Sequence, residues 1–193
     1  MEAMKMFPLI LKLRPRVNLF LPLILLAIAW FAGPPRLAAP WWIGGATMAL
    51  LGIALRVWAS GYILKNEELS CVGPYRYTRN PLYLGSLLLA VGCGMLTGRW
   101  ESFLLIALVL WGVYGPTVYS EERFLAAQFG DQYASYTQTV PRWLPRAPRL
   151  TVPANAAPFR WALVIRHHEI QHAFLHLGLL LLLACVHLLK PLI

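Results

Sequence analysis

Residues 71–85 read CVGPYRYTRNPLYLG. This is the most polar and turn-rich stretch in a chain otherwise dominated by apolar runs. Gly73-Pro74 marks a turn, and Asn80-Pro81 marks a helix start, with Asn as N-cap and Pro as first helical residue. Tyr75, Arg76, Tyr77 and Arg79 therefore sit at the mouth of a helix that runs into apolar sequence from Leu82 onward. A helix N-terminus presents free N–H groups and partial positive charge, and two arginines add full charge. Such a mouth suits an anionic or zwitterionic ligand at a membrane surface. The same residues also suit an aromatic, basic anchor at headgroup depth.

The surrounding composition sets the class. Hydrophobic residues make up 59% of the chain, well above the roughly 45–50% of soluble domains. The formal net charge is +9, which in a soluble protein would suggest nucleic acid. Here the placement of the charge explains it without a nucleic-acid partner. Cys71, Cys93 and Cys185 lack metal-ligand spacing and read as small packing residues, with no disulfide framework.

Working outward, five apolar segments predict an all-α, polytopic membrane protein. A basic lead, residues 1–16, precedes the first span at 17–31, which Gly33-Pro34-Pro35 ends. The lead and span resemble a signal peptide, with Ala27-Ile28-Ala29 as a cleavage motif, but a retained, short or tilted span is the expectation. The second span, 41–63, opens on a Trp pair and carries a small-residue face at Gly45, Ala49 and Gly52. Arg56 near its far end must snorkel, pair or face a polar cavity. The third span, 82–97, has a nearly bare face at Gly85, Ser86, Ala90, Gly92 and Gly94, against which a helix or a ligand packs. The fourth, 102–119, is kinked by Gly115-Pro116 and continues as an amphipathic helix ended by Gly130. A basic, Pro- and Ala-rich linker covers 146–158. One long helix then runs over 159–189, with the fifth span at 173–189.

With the N-terminus inside, the exterior segments hold only Arg36, Arg99 and Lys190, and the remaining Lys and Arg outside the spans fall inside. Five spans and a cytoplasmic N-terminus satisfy this bias. Residues 71–80 and 120–145 then share the cytoplasmic face of a bacterial inner membrane.

Two constellations carry chemistry. His168-Glu169-Ile170-Gln171-His172 is a literal H-E-x-x-H, the helix-borne zinc-protease arrangement. His176 cannot complete it, because on one helix it lies about 12 Å from His168. A solvated interfacial face is the plainer reading, and no metal site is expected. The other constellation pairs Gly73-Pro74-Tyr75-Arg76 and Arg79-Asn80-Pro81-Leu82-Tyr83-Leu84-Gly85 with Glu121-Glu122, Leu125, Phe129-Gly130, Tyr133, Tyr136, Val140-Pro141-Arg142 and Pro145.

In this order the paired stretches resemble the signatures of the isoprenylcysteine carboxyl methyltransferase and phospholipid methyltransferase group of integral membrane enzymes. The resemblance covers roughly residues 56–145, a catalytic core within a single domain of 1–193, with 146–193 as linker and last span. It implies S-adenosylmethionine in a cytoplasm-facing pocket and a lipophilic small molecule, prenylated thiol or carboxylate, or lipid headgroup arriving from the bilayer. Carried onto this chain, it implies Glu122, Glu121 and Arg142 as catalytic. Tyr77, Arg79, Asn80, Pro81, Tyr83, Gly85, Gly92, Glu121, Tyr133 and Tyr136 are implied on the cofactor side. Arg56 and Trp58 are expected on the substrate side. The carboxyl-methylating branch has His where Asn80 stands and an arginine shortly before the paired glutamates, where 115–120 has none. A reductase using a nicotinamide cofactor is the alternative, since membrane sterol reductases are similar in architecture. The H-E-x-x-H protease and a structural or small-solute transport protein remain as further alternatives.

Overall fold

The computed structural model describes residues 21–31, 40–64, 67–147 and 157–189. The basic lead, the Gly33-Pro34-Pro35 break and most of the 146–158 linker lie outside them. Among the described residues all regular structure is helical. The helices are α1 (Leu21–Phe31), α2 (Pro40–Ser60), α3 (Pro81–Leu96), α4 (Glu101–Val109), α5 (Gly115–Thr139), α6 (Trp161–Arg166) and α7 (Glu169–Leu189), with a 3₁₀ turn at Gly73–Arg76.

Among the described residues three helical stretches are long and apolar enough to cross a bilayer: Trp41–Ser60, Glu101–Thr139 and Glu169–Val186. The chain is an integral membrane protein. α1 and α3 are shorter apolar helices. α3 has 16 residues, about 24 Å at 1.5 Å per residue, short of the ~30 Å hydrocarbon core. Among the described residues three helices are thus of spanning length, while α3 and the described part of the first span are shorter.

α2 and α3 form the most extensive contact in the molecule. Their small-residue faces meet: a Cβ on Gly52 would lie 2.6 Å from the Gly85 carbonyl oxygen, and one on Gly45 2.8 Å from that of Gly92. Pairing of 52 with 85 and 45 with 92 makes the helices antiparallel. Gly85 and Gly92, which the resemblance implies on the cofactor side, face α2 instead, where any side chain would push two backbones apart. Leu25, Ala49, Leu89, Cys93, Ile106 and Leu183 join α1, α2, α3, α4 and α7 in one core.

The fourth span departs from a simple kink. A π-turn at Leu110–Tyr114 separates α4 from α5 just before Pro116, whose missing N–H and ring disfavour a regular helix. The helix then continues out of the apolar region to Gly130, where φ 46° and ψ −121° break it, at the position expected from the sequence. The 159–189 segment is two helices rather than one. His168 takes φ 58° between α6 and α7, and its carbonyl accepts from the His172 N–H to open α7. α6 is held by the Arg160 N–H on the Gly61 carbonyl and by the His167 ring nitrogen 3.1 Å from the Ile63 carbonyl.

Candidate active site

The 71–80 loop is fastened to the segment after α5. The Arg79 N–H donates to the Pro141 carbonyl (2.9 Å), and the Arg146 N–H donates to that of Tyr77 (3.0 Å). Thr78 Oγ1 lies 3.1 and 3.0 Å from the carbonyls of Arg142 and Trp143. Tyr136 Oη donates to the Tyr75 carbonyl (2.8 Å). The two signature stretches, far apart in sequence, are thereby laced together.

Asn80 occupies the N-cap position of α3, yet its side chain makes no cap bond. Its Nδ2 donates instead to Glu122 Oε1 (3.2 Å) and to the Arg142 carbonyl (3.1 Å). Glu122 is buried and is the centre of the cluster. Arg142 grips both carboxylate oxygens, Nε to Oε1 at 3.2 Å and Nη2 to Oε2 at 2.5 Å. Arg79 Nη1 adds an ion pair at 3.5 Å. The hydrogen bonds that Arg142 donates to Glu122 raise the pKa of Arg142, against a smaller desolvation effect.

Beside this cluster lies a cavity of about 270 Å³, near the lower end of small-molecule sites at ~300 Å³. Arg79, Asn80, Pro81, Tyr83, Glu121, Glu122, Tyr133 and Tyr136 all reach its wall. Both glutamates therefore face it, Glu122 from within the ion cluster and Glu121 from a half-buried position. Arg142 meets the cavity through Glu122 rather than as a wall residue. Tyr77 and Trp58 do not line it; their rings pack together at 6.3 Å, both substantially exposed. Arg56 is likewise elsewhere, held by Glu169 and Ser86. That engagement dismantles the H-E-x-x-H arrangement, because Glu169 is spent on Arg56 and His168 stands outside α7.

Tyr75, Phe124, Leu125 and Phe129 also reach the wall; Tyr75, Leu125 and Phe129 belong to the paired signatures without an assigned role there, and Phe124 belongs to neither. Phe124, Leu125 and Phe129 follow Glu121 at i+3, i+4 and i+8, a helical stripe that would have revealed them. Glu68 and Ser70 complete a polar edge.

The donor set can be tested against S-adenosylmethionine. Arg79 Nε is buried without a hydrogen-bond partner among the described residues, a donor suited to a carboxylate. Glu68 and Glu121 offer acceptors for an ammonium or ribose hydroxyls. Six aromatic rings (Tyr75, Tyr83, Phe124, Phe129, Tyr133 and Tyr136) offer faces to an adenine. The residues fit a zwitterionic, aromatic ligand of that kind.

The phospholipid methyltransferase family model matches residues 28–132, more than half of the chain. Protein-S-isoprenylcysteine O-methyltransferase of Schizosaccharomyces pombe is 39% identical over 84 residues, 44% of this chain and 36% of that protein. The cobalt-zinc-cadmium resistance protein CzcN of Cupriavidus metallidurans is 35% identical over 106 residues, 52% of this chain and 49% of its own. Protein-S-isoprenylcysteine O-methyltransferase B of Arabidopsis thaliana is 33% identical over 125 residues, 58% of this chain and 64% of that one. The chain thus spans between about a third and two thirds of the length of these relatives. No solved structure matches it significantly. The matched residues carry the first signature and the paired glutamates on one helical membrane scaffold, and the chain belongs to the phospholipid methyltransferase family.

Proposed function

We propose that the protein transfers a methyl group from S-adenosylmethionine to a lipophilic acceptor drawn from the bilayer. The observation that carries this reading is the convergence of Arg79, Asn80 and Arg142 on the buried Glu122 at the cavity wall. Family membership supplies the reaction class, and the relatives named as isoprenylcysteine O-methyltransferases suggest a prenylated or lipid acceptor.

When bound, S-adenosylmethionine supplies an electrophilic methyl on a sulfonium whose departure needs no acid. What remains for the protein is alignment and exclusion of water, which accounts for the lack of a triad. Arg79 would hold the donor's carboxylate, Glu121 or Glu68 its ammonium or ribose hydroxyls, and the tyrosines its adenine. Three donor groups surround Glu122, so it serves to fix Arg79 and Arg142. Glu121 is the carboxylate better placed to take a proton from an acceptor. Asn80, standing where the carboxyl-methylating branch has His, spends its amide on the same cluster. We place this face on the cytoplasmic side of a bacterial inner membrane, where the basic segments collect.

Calorimetry in detergent tests the donor. Wild type should bind S-adenosylmethionine in the micromolar range, about −8 kcal/mol at 1 μM, and Arg79→Ala should weaken this by about tenfold or more. A folded wild type that does not bind overturns the reading, and nicotinamide cofactors would be tried next.

A further inference from the structure

A second cavity, of about 350 Å³, lies among α1, α3 and α7. We propose that it binds a single-chain amphiphile with an uncharged, hydroxyl-type head. The site does not rest on the methyl-transfer reading.

The cavity has two ends of different chemistry. Leu21, Leu25, Leu89, Leu175 and Leu179 make an apolar wall suited to a hydrocarbon chain. Arg56, Ser86, His172 and His176 make a polar end. At that end Arg56 Nε and Nη2 donate to the two oxygens of Glu169, at 3.2 and 2.6 Å, and Nη1 donates to Ser86 Oγ. Every nitrogen of the guanidinium is engaged and its charge is balanced. An anionic head would find no uncompensated cation to offset its desolvation. A hydroxyl finds hydrogen-bonding partners in the two imidazoles, whereas Ser86 donates to the Leu82 carbonyl and accepts from Arg56.

The two cavities share one partition. Tyr83 lines the first and Tyr114 the second. Their rings meet edge to face, 5.7 Å apart at 89°. The pair separates an amphiphile in the second cavity from the proposed donor site. Helix α7 closes this cavity and lies beyond the residues that the family model matches, so the wall that His172, Leu175, His176 and Leu179 supply is outside the matched region.

The test is saturable binding of tritiated hexadecanol to the full chain in nanodiscs, above empty nanodiscs. Hexadecanoate serves as competitor at a pH of about 9, where it is ionised. Hexadecanol should bind, and hexadecanoate should compete about tenfold more weakly or worse. Leu175→Trp, at a position 58% exposed, should cut hexadecanol binding by about tenfold while S-adenosylmethionine affinity stays within about twofold. Ala90→Met, from the α3 side, should act in the same direction. Equal binding of acid and alcohol overturns the uncharged head. Unchanged hexadecanol binding in both variants, or none in wild type, overturns the cavity. Hexadecanol binding without S-adenosylmethionine binding supports the cavity and sinks the donor reading instead.

Discussion

Glu122 concentrates the residue-scale argument. A buried carboxylate is costly unless paired, and here two guanidinium groups and an amide surround it. Glu122→Gln keeps the shape and removes the charge, leaving Arg79 and Arg142 facing a neutral group. The expected loss is about 2–3 kcal/mol, since hydrogen bonds to charged groups are worth about 1.5–3 each and Arg142 is half exposed. For a chain of this size that lowers Tm by roughly 4–12 °C. A thermal melt in detergent within a degree of wild type would show that the cluster is not held by this charge. Cys71 offers a second check, because it packs against the Tyr133, Tyr136 and Val140 cluster behind the cavity. Burial pushes its thiol up to about 11. The neutral form is the one stabilised, so alkylation by iodoacetamide should keep rising with pH past about 9.5, where an ordinary thiol at ~8.5 has levelled off. A Cys93→Ser, Cys185→Ser background isolates the signal, and a plateau by pH ~9.5 would mean that the cluster is open.

At the scale of elements, the α2–α3 contact is the firmest consequence of the sequence. Gly45, Ala49 and Gly52 foretold a close approach, and α3 provides the partner. A Cβ on Gly52 would meet backbone atoms of Gly85 and Leu89 at 2.6 Å, and neither can move alone. Gly52→Ala should therefore destabilise by about 1–3 kcal/mol as an overpacking substitution. Gly178→Ala in α7, with nothing within 4 Å of the new atom, should be neutral or stabilise by up to about 1 kcal/mol through helix propensity. Equal melting shifts in the two variants would refute the packing account. What a bare face meets is not legible in the sequence, because Gly85 and Gly92 suit a helix and a ligand alike, and the resemblance alone puts them on the cofactor side. The break at His168 was equally hidden. No Gly or Pro marks it, and it arises from tertiary anchors: α6 on Gly61 and Ile63, and Glu169 on Arg56.

At the scale of the whole molecule, the first site was legible and the second cavity was not. Turn residues, arginines and paired glutamates stand out against an apolar background, so two stretches could be matched before their contact was known. The second cavity draws on leucines, a serine and histidines from separate helices, each unremarkable alone. Arg56 shows the boundary between these cases. Its cost in an apolar helix required a partner, but nothing local named Glu169, which lies 113 residues away. The charge distribution carries one further consequence. If the basic segments face the cytoplasm, Arg146 and Trp100 lie on opposite faces of the membrane, since α3 and the α4–α5 helix lead away from and back to the loop holding the site. In a cysteine-free chain, Arg146→Cys should react with a membrane-impermeant maleimide only in inside-out vesicles. Trp100→Cys, at a position 51% exposed, should react only in right-side-out vesicles. The reverse pattern would put the site on the outer face, away from the cytoplasmic supply of the proposed donor, and labelling of both from one side would contradict the helix connectivity itself.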